Sequence, residues 1–181
     1  LAGGAKSAQF KRFGKNGRPV WIQASYMSVR DKQGQVEKIV KLASDVTERQ
    51  VRDAEIAGQL TAIGKSQAVI EFDLNGTILS ANENFCSALG YKLSELKGSN
   101  HRMLVKPDFA ASPEYRDFWD RLRRGEWQTA EFQRVGKNGR DVWIQATYNP
   151  ILDAEGKPFK VVKFASDVTA QKAAVTAIGD G

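Results

Sequence analysis

The chain has 181 residues, 41% of them hydrophobic and 27% charged, with a formal net charge of +6 and a pI near 9.5. That balance fits a globular fold, since no apolar run approaches the ~20 residues of a membrane span and the opening LAGGAKSAQFKR lacks the layout of a secretory signal. A single cysteine, Cys86, and a single histidine, His101, exclude an internal disulfide and a zinc site built from those ligands, and they fit a reducing compartment such as the cytoplasm.

In chain order, the segment Phe10 to Thr47 recurs without insertion or deletion as Phe132 to Thr169. FKRFGKNGRPVWIQASY returns as FQRVGKNGRDVWIQATY, KIVKLASDVT as KVVKFASDVT, and about three positions in five are identical. The second copy follows a long patterned stretch, Val69 to Arg124, and the first follows only nine residues. Residues 1–50 are therefore expected to be the C-terminal half of a domain from a longer protein. Half a domain exposes a sheet edge and an apolar face, so this segment is expected to pair with another chain or to pack on the complete domain.

Val51, Ile56, Leu60 and Ile63 lie among Glu, Arg and Gln at helical spacing, which predicts a connecting helix over 51–66. Val69–Leu74 and Thr77–Ala81 flank Asn75-Gly76 and read as a tight hairpin. ENFCSALG, ending at Gly90, and LSEL, ending before Gly98, read as short helices, the first capped by Asn82 or Asn84. Ser112-Pro113 opens a longer helix that closes at Gly125 and puts Tyr115, Phe118 and Leu122 on one face. Strands are predicted over Trp127–Val135, Val142–Leu152 and Phe159–Val168, with turns at Lys137-Asn138-Gly139 and Glu155-Gly156. Two strands, short helices, a longer helix and a three-strand meander predict an α+β fold, a five-stranded antiparallel sheet with short helices on one face and a cup between them.

Alternation on the last strand, with Lys163 turned to water, points Val162 and Phe164 into the cup. The preceding strand is apolar on both faces, so its outer face is expected to be covered by a helix or a second copy. The basic residues are scattered through turns and strand edges and no aromatic stripe accompanies them, which argues against nucleic acid as a partner. GKNGR lacks the spacing of a phosphate-binding loop and reads as a turn. No catalytic constellation is present, and the chain reads as a non-enzyme.

With these segments in place, residues 67–172 resemble a PAS domain. The resemblance rests on Ile70-Glu71-Phe72-Asp73, Asn75-Gly76, Ala81-Asn82-Glu83-Asn84-Phe85, Leu89-Gly90-Tyr91 and Glu95-Leu96-Lys97-Gly98, then on Lys137-Asn138-Gly139, Val142-Trp143-Ile144, Pro150-Ile151 and Asp167-Val168-Thr169. Residues 1–50 resemble the end of a preceding PAS domain that closes at Asp45-Val46-Thr47, and 173–181 the start of an output helix. His101-Arg102-Met103, Pro107-Asp108, Trp119, Leu122 and Gly125-Glu126 resemble the PAS modules of methyl-accepting chemotaxis and aerotaxis receptors. The chain departs from the aerotaxis pattern at Lys106, where a second histidine is expected.

The resemblance implies a cytoplasmic sensor of a chemotaxis-type protein that binds a small ligand or cofactor, with flavin (FAD) and haem as candidates. A homodimer through the sheet's outer face is expected, and the resemblance implies a downstream methyl-accepting, kinase or cyclase output region. A ligand-free dimerisation or spacer module is the alternative. The expected pocket is Ile70, Phe72, Phe85, Leu89, His101, Met103, Leu104, Phe118, Trp127, Trp143, Val162 and Phe164, and the expected relay is Asp45, Thr47, Asp167 and Thr169. His101 is the one candidate axial ligand for haem, or else a structural histidine at the rim of the cup. It also occupies the place of the adduct-forming cysteine of light-sensing relatives, which excludes their covalent flavin chemistry.

Overall fold

The computed structural model describes residues 6–179, which divide into two compact units within 1–60 and 61–181. In the first, β1 (Lys6–Phe13), β2 (Pro19–Arg30) and β3 (Val36–Asp45) form an antiparallel meander in the order β1-β2-β3. Helix α1 (Thr47–Ser66) follows. It starts four residues before the predicted connector because Thr47 begins a helix straight after the last strand.

The second unit contains β4 (Ala68–Phe72), β5 (Ile78–Ala81), α2 (Glu83–Leu89), α3 (Leu93–Leu96), a 3-10 turn (His101–Leu104), α4 (Pro107–Ala110) and α5 (Pro113–Arg123). It then runs through β6 (Gln128–Val135), β7 (Asp141–Leu152) and β8 (Pro158–Asp167) into α6 (Thr169–Gly179). Its five strands are ordered β5-β4-β8-β7-β6, all antiparallel. The α+β sheet with its helices is thus the one expected.

The repeat is exact in register. Phe10 faces Ile22 as Phe132 faces Ile144, Ile22 faces Asp45 as Ile144 faces Asp167, and a bulge interrupts both copies, at Val29/Arg30 and at Ile151/Leu152. In each GKNGR turn an asparagine takes the left-handed conformation, Asn16 at φ 65° and Asn138 at φ 61°.

The β4–β5 connection is wider than a two-residue hairpin. Phe72 pairs with Ile78, and Asp73 Oδ1 accepts from the backbone N–H of Asn75 and Thr77. Asp31 and Asp153 make the same turn in the other loops, each accepting from the residues two and four positions on. Asn82 is the cap of α2, accepting from Phe85 N–H, while Asn84 donates to the carbonyls of Gly64, Lys65 and Gln67. Ser112 caps α5 as its sequence suggests, with Pro113 at the first helical position.

The core lies between the sheet and α2–α5. Ile70 and Phe72 from β4, Phe85 and Leu89 from α2, Tyr115, Trp119 and Leu122 from α5, and Val142, Ile144, Ala146 and Tyr148 from β7 are all buried there. The β6–β7 turn sits tightly on α2: a Cβ on Gly136 would lie 2.8 Å from the Leu89 carbonyl oxygen.

Candidate ligand-binding cup

His101 is fully buried. The Asn100 side chain accepts from Arg102 N–H and starts the 3-10 turn, and His101 N–H donates to Gly76 O at 2.7 Å, which aims the imidazole inward. Its Nδ1 lies 2.9 Å from the Tyr115 hydroxyl and its Nε2 3.1 Å from the Tyr148 hydroxyl. It is therefore a core residue between two tyrosines and not a residue of the rim. Phe72 and Trp119 meet its ring edge-on at 5.3 and 5.4 Å.

Tyr148 extends this group across the sheet. Its hydroxyl accepts from Arg134 Nη2 at 2.9 Å, and the Arg134 guanidinium lies over the Phe132 ring at 4.6 Å. Lys163, with no exposed surface, places its Nζ over the Tyr148 ring at 4.9 Å and the Phe85 ring at 5.3 Å. Neither Lys163 Nζ nor Arg134 Nε makes a hydrogen bond. Among the described residues the buried charged or polar side chains other than the tyrosines are His101, Arg134 and Lys163, and none of them is a carboxylate.

Burial pushes the Lys163 amine well below its ordinary pKa, and the positive Arg134 adds to the effect. The same burial, with Arg134 and Lys163 nearby, holds His101 well below the usual imidazole range. Burial raises the Tyr148 phenol. The cup thus has an aromatic wall and a basic interior in which the imidazole stays neutral.

Of the expected pocket residues, Ile70, Phe72, Phe85, Leu89, His101, Met103, Leu104 and Phe118 come together in this core. The other four do not. Val161, Lys163 and Ala165 are the inward set of β8, so Val162 and Phe164 lie on the opposite face, where Phe164 lines a groove with Gln145 and Thr147. The lysine taken to mark the wet face marks the buried one. Trp127 precedes β6 and is 64% exposed. Trp143 alternates outward on β7 and carries Lys172 over its ring at 5.2 Å. Arg134, Tyr148, Lys163, Tyr115 and Trp119 were missed. A signal for three of them lay in the repeat, where Arg12, Tyr26 and Lys41 recur as Arg134, Tyr148 and Lys163.

Cys86 is half-buried against the core, and burial raises its thiol pKa. The aromatic core does not fit the expected cofactors as it is packed. Both His101 nitrogens are engaged by tyrosine hydroxyls, which leaves none for a haem iron. Trp127 and Trp143, both expected in the pocket, lie outside the cup and are not placed to stack on a flavin within it.

The residues expected to relay a signal form one hydrogen-bonded arrangement used twice. Asp167 Oδ1 accepts from Thr169 N–H, Thr169 Oγ1 accepts from Trp143 N–H at 3.0 Å, and Val168 N–H donates to Trp143 O. Asp45, Thr47, Val46 and Trp21 repeat it, with Trp21 N–H donating to Thr47 Oγ1 at 2.9 Å. Each pins the start of a helix to the central strand of its meander.

Two family models described as PAS fold match residues 78–165 and 1–51. The biofilm dispersion protein BdlA of Pseudomonas aeruginosa is 48% identical over 90% of this chain, and the aerotaxis receptor of Escherichia coli is 35% identical over 47%. The chain spans 39% and 16% of those relatives' lengths. A PAS domain structure from Colwellia psychrerythraea superposes with a TM-score of 0.56 at 21% identity, covering 64% of this chain and 98% of that one. A light-oxygen-voltage domain gives 0.55 at 24%, covering 68% and 93%. Both share the fold. With two meanders that end in the same Asp-Val-Thr latch and one aromatic cup, the chain belongs to the PAS family and is similar to the matching parts of BdlA and the aerotaxis receptor.

Proposed function

We propose that residues 67–172 are a cytoplasmic sensory module in which a small molecule entering the cup changes how β7 and β8 hold α6, and so signals to an output region beyond it. The observation that carries this reading is the placement of Tyr148. Its hydroxyl joins His101 and Arg134 inside the cup, and its strand, β7, supplies the Trp143 backbone groups that latch Thr169 and Val168. A ligand that favours one arrangement of the polar group shifts the population of the other through that strand.

Residues 1–50 are read as the second half of a preceding PAS domain and 51–66 as the connector. The module is read as a homodimer, because Phe159 on β8 and Val51, Ile56 and Leu60 on α1 are exposed apolar residues. The sensory relatives support a non-enzymatic role.

A second reading, a ligand-free spacer, is favoured by the density of side chains in the cup, where Phe118 and Tyr148 pack edge to face at 4.8 Å. Native mass spectrometry and a visible spectrum of the freshly purified chain, followed by hydrogen exchange of α6 amides during ligand titration, separate the two. The sensory reading expects a bound small molecule, or a titrated one that changes α6 exchange. Neither a bound molecule nor any response of α6 would leave the spacer.

A further inference from the structure

A groove of about 400 Å³ runs along the free edge of the sheet between α4 and β6, lined by Phe109, Phe132 and Trp143 and by the buried Arg134. Arg134 links this groove to the cup by contact: it donates to the Tyr148 hydroxyl, and Lys163 lies over the Tyr148 ring. Arg134 uses Nη1 on the Gln133 carbonyl and Nη2 on Tyr148, which leaves Nε without a hydrogen-bond partner.

Burying basic groups without an anion is costly, and a bound carboxylate offsets that cost because guanidinium and carboxylate match in shape and charge. The groove also selects among anions. Asp108 and Glu131 are exposed among its lining residues, and although Glu131 is paired with Lys172, two carboxylates disfavour a phosphate dianion more than a monoanion. Its aromatic walls favour a planar apolar body.

The set is present in both copies of the repeat. In the first, Arg12 lies over Phe10 at 4.8 Å and Lys41 over Tyr26 at 5.5 Å. The four residues are retained although about two positions in five differ between the copies.

The geometry points to a binding site for a small aromatic monocarboxylate, its carboxylate received by Arg134 in the β6-edge groove and its charge stabilised by the Lys163 beyond. This rests on the sensory reading and gives it a ligand class. Acid binding at Arg134 would draw the guanidinium toward the groove and loosen its bond to Tyr148, which is the polar contact tied to the output strand.

Isothermal titration of the 181-residue chain with benzoate and phenylacetate, each against its neutral amide, tests the assignment. At least one acid is expected to bind tenfold or more tightly than its amide. Arg134→Gln should cost at least tenfold in acid affinity, Arg134→Lys less, and Lys163→Met about threefold, with far-UV circular dichroism checking that each variant is folded. Equal binding of acid and amide, failure of both acids to bind, or acid affinity unchanged in Arg134→Gln overturns it. If the acids fail while another molecule binds and alters α6 exchange, only the ligand class is lost. If nothing binds and α6 never responds, the sensory reading falls too.

Discussion

The two copies of the repeat are the same three strands in two environments. In the second, β4 and β5 extend the sheet, helices α2–α5 cover its inner face, and Lys163 and Arg134 are buried at the centre of an aromatic cluster. In the first, Lys41 and Arg12 are exposed, although they sit over Tyr26 and Phe10 much as their counterparts do. The edge-to-face pair is common to both, Phe10–Tyr26 at 6.1 Å and Phe132–Tyr148 at 5.4 Å. The strands therefore encode where the basic groups stand, and the covering helices decide that they are dry. Any molecule that moves the cover changes the electrostatics of the cup.

Paired substitutions sharpen this contrast. The largest difference is expected at the tyrosines. Tyr148→Ala removes a buried ring together with its bonds to His101 and Arg134, and should cost about 4 kcal/mol. Tyr26→Ala, at a half-buried site, should cost about 1 kcal/mol. Native-state hydrogen exchange of the β7 and β2 amides measures each unit separately, and equal losses would break the comparison.

The lysines come next and carry the opposite sign. Lys163→Met replaces an unpaired buried amine with an apolar chain of similar length and should stabilise its unit by about 1–3 kcal/mol. Lys41→Met should stay within about 0.5 kcal/mol. The wild type should also depend on pH in a defined direction. Above the ordinary lysine value of 10.5 the amine is neutral whether folded or unfolded, and burial carries no protonation penalty. As pH falls below it, the unfolded chain takes up a proton that folded Lys163 does not, so stability declines until the lowered folded value is reached. Urea midpoints should therefore rise with pH on the alkaline side of neutrality, and the rise should shrink in Lys163→Met.

A third contrast, of a size similar to that at the lysines, is at the turns. Gly136→Ala presses a methyl group against the Leu89 carbonyl and should cost about 1–3 kcal/mol. Gly14→Ala meets its nearest atoms at 3.7 Å and should be close to neutral. Thermal unfolding of the two variants compares them directly.

Much of this architecture was legible because local chemistry and global fold agree. Ser112-Pro113 opens α5, Asn82 caps α2, and Asp167-Val168-Thr169 ends one sheet and starts one helix as residue types alone suggest. The orientation of β8 was not legible. Period-two alternation separates Val161, Lys163 and Ala165 from Val162 and Phe164, but it does not say which set is inside, and a lysine ordinarily marks the outside. Trp127 misled for a related reason: aromatic size suggests burial, yet the residue precedes its strand and remains exposed. What could have corrected the reading of Lys163 was its identity with Lys41, alongside Tyr26 with Tyr148 and Arg12 with Arg134, a set whose members become neighbours only once the sheet is assembled.

The most direct test of the account is an NMR titration of the Lys163 side chain, followed at its Cε and assigned by its loss in Lys163→Met. A dry, basic cup predicts that this amine titrates well below 10.5 and that an acid bound at Arg134 shifts its titration upward. Titration of Lys163 at the ordinary lysine value would contradict the account, because the covering helices would then not be keeping the basic interior from water.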